Sequence, residues 1–299
     1  MNDIVASARS WLFAPGDSAR KMEKAAGGEA DVVIFDLEDA VAESAKPEAR
    51  RTIAAFLNEQ DATARGRLWV RVNPLDGEHT LTDLAAVMPA HPGGLMLPKV
   101  NGRSDVERVH RYVEALEAAN GIPLGSTPVI VLATETAESM FHTGSYKGVP
   151  RLAAMSWGAE DLADSIGASS NTLEDGEYAF TYEMARSLCL LGAASAGVPA
   201  IETIMGDFRD EDGLRRRCER VRREGFAGML AIHPAQVPVI NQAFTPTDDE
   251  VSHAQDVVAS FADNPGKGTI AVDGAMLDRP HLARAQRVLN RVNGVHKGA

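Results

Sequence analysis

Cysteine is scarce in this 299-residue chain: only Cys189 and Cys218, far apart and with no CxxC. There is therefore no disulfide framework and no zinc signature, and both residues read as reduced thiols. No run of 18 apolar residues is present, which argues against a membrane span. The first ten residues, MNDIVASARS, lack a basic segment followed by a long apolar run. No secretory signal is expected, and a cytoplasmic location is the default. Positive charge is in the minority, with 30 Lys and Arg against 42 Asp and Glu, a formal net charge of -12. That balance excludes a whole-protein affinity for nucleic acid or an anionic membrane. It leaves room for a local basic pocket that takes an anionic small molecule.

What is present is a repeating alternation. Eight short apolar runs recur: 10–16, 31–39, 67–74, 93–100, 127–136, 152–161, 198–204 and 228–234. Most are apolar at consecutive positions, the pattern of parallel strands covered on both faces. Helical patterns separate them. Ser18 can cap a helix through Ala25, and Pro47 suits the first turn of a helix to about Leu57. Further helices are expected at 105–119, 177–196 and 212–224. The first strand–helix turn carries no GxGxxG, so a doubly wound dinucleotide-binding sheet has little support. The expected fold is a (β/α)₈ TIM barrel over residues 1–244. Residues 245–299 exceed what the barrel needs. Thr247 to Glu250 reads as a capping box opening a helix to about Phe261. A turn, a short extended piece and another turn follow, then a helix from His281 to Val292. This helical extension is expected to act as a lid or oligomerisation arm.

Charged residues fall where such a barrel places its chemistry, at the C-terminal ends of the strands. The second run, VVIFDLEDAV, ends in Asp36, Glu38 and Asp39. These acids are either solvated loop residues or gathered around something positive. The following runs end in Arg71 and Asn73, Lys99, Glu135, Glu160 and Asp161, Glu202, and His233. Arg71 and Glu135 sit in or beside apolar runs, where a charge is costly unless paired or metal-bound. Glu135 and Asp161, with Glu38 and Asp39 nearby, would form an acidic basin. Crowded carboxylates repel unless protonated or neutralised, and all-oxygen donors favour Mg²⁺, with Mn²⁺ as the alternative ion. The competing reading is a set of salt bridges to Arg71 and Lys99. Arg71 suits a bidentate grip on a substrate carboxylate. Lys99 reads as an ion-paired or charge-stabilising lysine rather than a Schiff-base one. For the phosphates of a nucleotide-bearing substrate, Arg20 and Lys21 near the first strand–helix loop, with Arg9, are better placed than RRRCERVRR (215–223), which reads as a solvated helix face.

Eight stretches together resemble the citrate lyase β-subunit-like branch of the HpcH/HpaI aldolase superfamily, which includes malyl-CoA and citramalyl-CoA lyases. They are RSWLFAPG (9–16), ADVVIFDLEDAV (30–41), RVNP (71–74), LPKV (97–100), ATETAES (133–139), WGAEDLA (157–163), IHPAQV (232–237) and DGAMLDRPHLARA (273–285). The resemblance implies a barrel that assembles as a homotrimer or hexamer, with the C-terminal segment docking on a neighbouring subunit. It implies Mg²⁺ on Glu135 and Asp161, and Glu38 and Asp39 holding metal-bound waters. It implies Arg71 on the substrate carboxylate, Arg9 near substrate and coenzyme A, and Asp278 in proton transfer at another subunit's site. The implied activity is cleavage of a 3-hydroxyacyl-CoA with a distal carboxylate to a 2-oxo acid and acetyl-CoA. A citrate lyase β subunit working with an acyl-carrier partner is a second reading. A CoA-binding barrel without catalysis is a third, against which the joint presence of Glu135, Asp161, Arg71 and Asp278 argues. Two features depart from the family pattern: Glu202, where members often have Asp, and the segment SSNTLEDGEYAF (169–180).

Overall fold

The eight apolar runs form eight parallel strands in a computed structural model that describes residues 3–272 and 275–297. The strands are β1 (Ser10–Pro15), β2 (Val32–Asp36), β3 (Leu68–Arg71), β4 (Gly94–Leu97), β5 (Val129–Leu132), β6 (Leu152–Ser156), β7 (Ala200–Glu202) and β8 (Gly228–Ala231). Each pairs with the next, and β1 pairs with β8 through Ser10, Trp11 and Leu12, closing the barrel. Around it lie α1 (Asp3–Ser7), α2 (Ala19–Ala26), α3 (Lys46–Asn58), α4 (Ala62–Arg65), α5 (Thr80–Val87), α6 (Arg103–Ala119), α7 (Ala159–Ser165), α8 (Phe180–Ala196), α9 (Glu211–Glu224) and α10 (Gln236–Phe244). By contact density the chain divides into two compact units, Met1–Asn241 and Gln242–Ala299. Among the described residues, no helix is long and apolar enough to cross a membrane.

Strand periodicity decides what fills the barrel. Alternate residues face inward, and Trp11, Val32, Ile34, Trp69, Met96, Ile130, Ala154, Ile201 and Leu230 form one buried cluster. Trp11 and Trp69 meet edge-on, with centroids 5.3 Å apart. Gly94 stands opposite Trp69 in register, and a Cβ there would lie 2.6 Å from the indole ring. The glycine makes room for the largest interior side chain. The same alternation continues to the rim. Asp36 shares the inward face of Val32 and Ile34, and Arg71 shares that of Trp69. Register places Asp36 beside Arg71.

One expected element boundary shifts, and two local details differ from a regular strand–helix repeat. Helix α8 begins at Phe180 rather than Glu177, because Thr172 and Tyr178 bridge across a turn containing Gly176 and hold that stretch extended. Ser18 precedes α2 in extended conformation, but its side chain makes no capping hydrogen bond. The β5–β6 connection forms two 3₁₀ turns, Ser139–Phe141 and Thr143–Tyr146, in place of a crossover helix.

In the second unit, Thr247 completes the capping box with Glu250 and opens α11 (Asp248–Ala262). The stretch beyond it forms an antiparallel hairpin, β9 (Thr269–Val272) and β10 (Ala275–Asp278), followed by α12 (Arg279–Lys297). Phe261, Ile270, Leu277 and Ala285 pack into a small core of its own.

A buried ion pair braces the outer layer of the barrel. Arg151 donates to both oxygens of Glu117 at 2.6 Å, and neither side chain reaches solvent. Burial alone would push the Glu117 carboxyl up. The Arg151 guanidinium and the amides of Thr127 and Gly125 outweigh it and hold it at about 2. The folded value lies below the ordinary glutamate range, so the pair stabilises the fold above about pH 4.3 and loses that contribution as pH falls toward 2. Glu117→Gln is expected to cost about 3 kcal/mol at pH 7. The gap in melting temperature between variant and wild type should narrow below pH 4, as read by circular dichroism.

Candidate active site

The chemistry-bearing residues collect at the C-terminal rim, where strand ends and the loops after them bring charge above an apolar interior. Asp36 is the first link. Its two oxygens accept from Arg71 Nε at 2.7 Å and Nη2 at 2.6 Å. They also accept from the backbone N–H groups of Glu38 and Ala40, each at 3.0 Å. Burial disfavours the Asp36 carboxylate, but the Arg71 charge and these donors hold it below its ordinary range. Asp36 therefore braces the rim and turns the chain so that Glu38 faces back over the barrel. Arg71 Nη1 lies 2.7 Å from Glu38 Oε2, and its guanidinium stacks over Phe13, 4.8 Å from the ring centroid.

Lys99 is the second link. Its Nζ lies 2.5 Å from Glu38 Oε1, 2.9 Å from Asp161 Oδ1 and 3.6 Å from Asp39 Oδ2. Its backbone N–H donates to Glu135 Oε2 at 2.7 Å. That double use needs an unusual backbone: Lys99 takes a φ of 52°, which aims amide and side chain at one basin. Pairing with Glu38 and Asp161 outweighs desolvation and keeps the ammonium charged well above the usual lysine range.

Glu135 is the anomaly. It is 4% exposed. Burial, then the neighbouring charges of Asp161 and Glu38, push its carboxyl well above the ordinary range. Burial also raises Glu38, against the pull of Arg71 and Lys99. Glu38, Glu135 and Asp161 thus share one rim, but Lys99 Nζ stands between Glu38 and Asp161, and among the described residues no three acidic, histidine or cysteine side chains are drawn together closely enough to enclose a metal ion. Oxygen donors of this kind suit a hard divalent cation, which would relieve the repulsion that burial amplifies. Gly158 leaves room for Glu135: a Cβ at this position would lie 2.6 Å from Glu135 Oε1 and 2.7 Å from its Cγ. Sequence reading missed Gly158, although a glycine between a strand and a helix with acids in its first turn was the available signal.

The remaining sequence candidates divide. Asp39 is exposed at the same rim, within 4 Å of Lys99 and Arg71. Arg20 and Lys21 are exposed in the first turn of α2, which follows the rim end of β1. His233 stacks on Phe208 beyond β8, with centroids 4.4 Å apart. Asp278 ends β10 in the second unit, where its Oδ1 and His281 Nδ1 are 2.6 Å apart.

Arg9 requires a correction. It precedes β1, at the opposite end of the barrel, where its Nε and Nη2 pair with Asp31 at 2.9 Å. The six residues of β1 put about 20 Å between it and the rim, so a substrate contact there is excluded. Glu202 also leaves the site. Ile201 faces inward, so Glu202 faces the helices, buried against Arg217 at 2.9 Å. Glu202 thus belongs to the sheet–helix layer and not to the rim.

Comparison with known proteins places this geometry. The model of the HpcH/HpaI aldolase/citrate lyase family matches residues 9–234, and that of a carbon–carbon bond lyase family of the TIM-barrel fold matches 179–295. A (3S)-malyl-CoA thioesterase of Cereibacter sphaeroides is 35% identical over 96% of this chain and 95% of its own. The mitochondrial citramalyl-CoA lyase of Mus musculus is 33% identical over 96% of this chain and 86% of its own. The crystal structure of CitE from Mycobacterium tuberculosis, in complex with magnesium, acetoacetate and coenzyme A, is similar with a TM-score of 0.80. It is 32% identical, and the match covers 96% of this chain and 99% of that one.

The cradle generates a direct test. Mg²⁺ is expected to raise the melting temperature of the wild type, since a ligand that binds only the native state stabilises it. Gly158→Ala should fold yet show little of that rise, because its methyl group displaces Glu135. Equal rises in the two proteins would dismiss the cradle.

Proposed function

The chain belongs to the HpcH/HpaI aldolase/citrate lyase family, and from that premise we propose that it is a Mg²⁺-dependent carbon–carbon lyase acting on a 3-hydroxyacyl-CoA with a distal carboxylate. The observation that carries this reading is the buried Glu135 facing Asp161 and Glu38 beside Arg71. A cation site and a carboxylate-binding guanidinium then share one rim. Glu135 and Asp161 are the residues that would hold Mg²⁺. When bound, the ion supplies Lewis acidity toward the hydroxyl and carboxylate oxygens of the substrate.

The chain's own residues do the rest. Arg71 has five N–H donors. Asp36 and Glu38 engage Nε, Nη1 and Nη2 once each. The N–H donors that Asp36 does not take would orient the substrate carboxylate. Glu38 and Asp39 would orient water at the rim, and Lys99 balances their charge. Cleavage converts the hydroxyl-bearing fragment to a 2-oxo acid and leaves an electron pair on the thioester fragment as an enolate. The hydroxyl gives up a proton and the enolate carbon gains one, so the reaction needs a group that handles both. Asp278 fits that role. The hydrogen bond from His281 holds its carboxyl below the ordinary range. As a carboxylate it would take the proton from the hydroxyl and return it to carbon. In a homotrimer or hexamer, the segment carrying Asp278 would reach a neighbouring subunit's rim and exclude water as it closes. Arg20 and Lys21 are proposed to meet the CoA phosphates.

The similarity to (3S)-malyl-CoA thioesterases supports a second reading, hydrolysis of the thioester of the same substrates. The two reactions release different products. With Mg²⁺ and malyl-CoA or citramalyl-CoA, a lyase yields glyoxylate or pyruvate and no free thiol. A thioesterase yields free CoA thiol and no 2-oxo acid. The expected outcome is 2-oxo acid release that EDTA abolishes. Thiol release alone would transfer the protein to the second reading, and activity in EDTA would sink the metal assignment. For the shared site, Asp278→Ala and Glu135→Ala proteins are each expected to be inactive and to regain part of the activity when subunits are exchanged. Verified mixed oligomers without activity would confine Asp278 to its own subunit.

A further inference from the structure

The segment 169–180 lies outside the eight family-like stretches of the sequence, and it grips the loop that carries Asp161. That loop runs from Trp157 at the end of β6 into the first turn of α7. It has two handles. Trp157 is fully buried, and the Tyr178 ring meets it edge-on with centroids 5.1 Å apart. Glu160, the neighbour of Asp161, accepts from Asn171 Nδ2 at 2.9 Å. Both gripping residues belong to the same short stretch, which Leu173, Gly176, Thr172 and Tyr178 close into a hairpin-like turn.

The grip is itself anchored. Arg217 Nη2 donates to the Tyr178 hydroxyl at 2.8 Å and to Glu202 Oε1 at 2.9 Å, and its guanidinium lies over the Tyr178 ring at 4.7 Å. Glu202 is fully buried on β7 and forms the foot of the post. A continuous line of contacts therefore runs from β7 through Arg217 and Tyr178 to Trp157 and the Asp161 turn. Glu202 and the 169–180 segment are its two ends. A turn of seven helical residues has little rigidity of its own, so such outside contacts decide where its side chains point.

We infer that Tyr178, supported by Arg217 and Glu202 and joined by Asn171, is a positioning residue that fixes the Asp161 turn in its metal-binding orientation. This rests on the assignment of Asp161 as a metal ligand under the proposed function. Groups that orient a ligand without touching the metal commonly change affinity by tenfold or more when removed.

Two measurements on the full chain test it, one of them independent of metal. Hydrogen–deuterium exchange of the amides in 157–163 should rise in Tyr178→Ala while the β1–β4 strands keep wild-type protection. Mg²⁺ affinity by calorimetry should fall about tenfold in Tyr178→Ala. Tyr178→Phe, which keeps the ring on Trp157, should recover most of it. Asn171→Ala removes only a surface hydrogen bond, and it should move both readouts in the same direction by less. Where Tyr178→Ala does not fold, Asn171→Ala and Tyr178→Phe decide by the same measurements. Unchanged exchange in 157–163 overturns the grip. Raised exchange with unchanged Mg²⁺ affinity overturns the positioning role. A wild type that binds no Mg²⁺ overturns the metal assignment instead, and the exchange result still decides whether the segment holds the turn.

Discussion

The rim of this barrel depends on the ion pair between Asp36 and Arg71. Both side chains are carried inward by strand alternation, and neighbouring strands set them side by side. At the top of an apolar interior neither charge is tolerable alone, because desolvation costs several kcal/mol per ion. Together they become a fixed platform. Asp36 spends its remaining lone pairs on two backbone amides, which turns the chain and delivers Glu38. Arg71 then meets Glu38, Glu38 meets Lys99, and Lys99 meets Asp161. One buried pair orders the charged rim from β2 round to the turn after β6.

That ordering also explains why the basin stays short of positive charge. Arg71 is held by Asp36, and Lys99 is shared among carboxylates. Glu135 is buried with a backbone amide as its hydrogen-bond donor and two carboxylates as neighbours. Lys99 Nζ, between Glu38 and Asp161, is the positive charge that the fold itself sets in the basin. The fold supplies the rest through small choices: a left-handed Lys99 backbone and a glycine where a methyl group would strike Glu135.

Much of this was legible in the residues. Eight consecutive-apolar runs with helical patterns between them describe a closed parallel barrel, since only strands covered on both faces read that way. Asp36, Glu38, Arg71, Lys99, Glu135 and Asp161 were found at strand ends because charge at the end of an apolar run is expensive without a partner. Direction along the strand was legible too, and it should have removed Arg9, which precedes β1 and so lies at the wrong end. Glu202 was misplaced for a different reason. A three-residue strand has too few positions to reveal which face is inward, and only the closed sheet settles it.

The sequence by itself determined the fold class, the family and the identities of the rim charges. Fold class and rim charges follow from periodicity and residue type, which are local, and the family from the resemblance carried by eight stretches. Tertiary structure alone decided which charge pairs with which, that Arg71 and Lys99 are held within the protein, and that the 169–180 segment reaches back to the Asp161 turn. Those are contacts between residues tens of positions apart, set by strand register and barrel closure. No local pattern encodes them, because the same residues on the opposite face of the pleat would meet different partners.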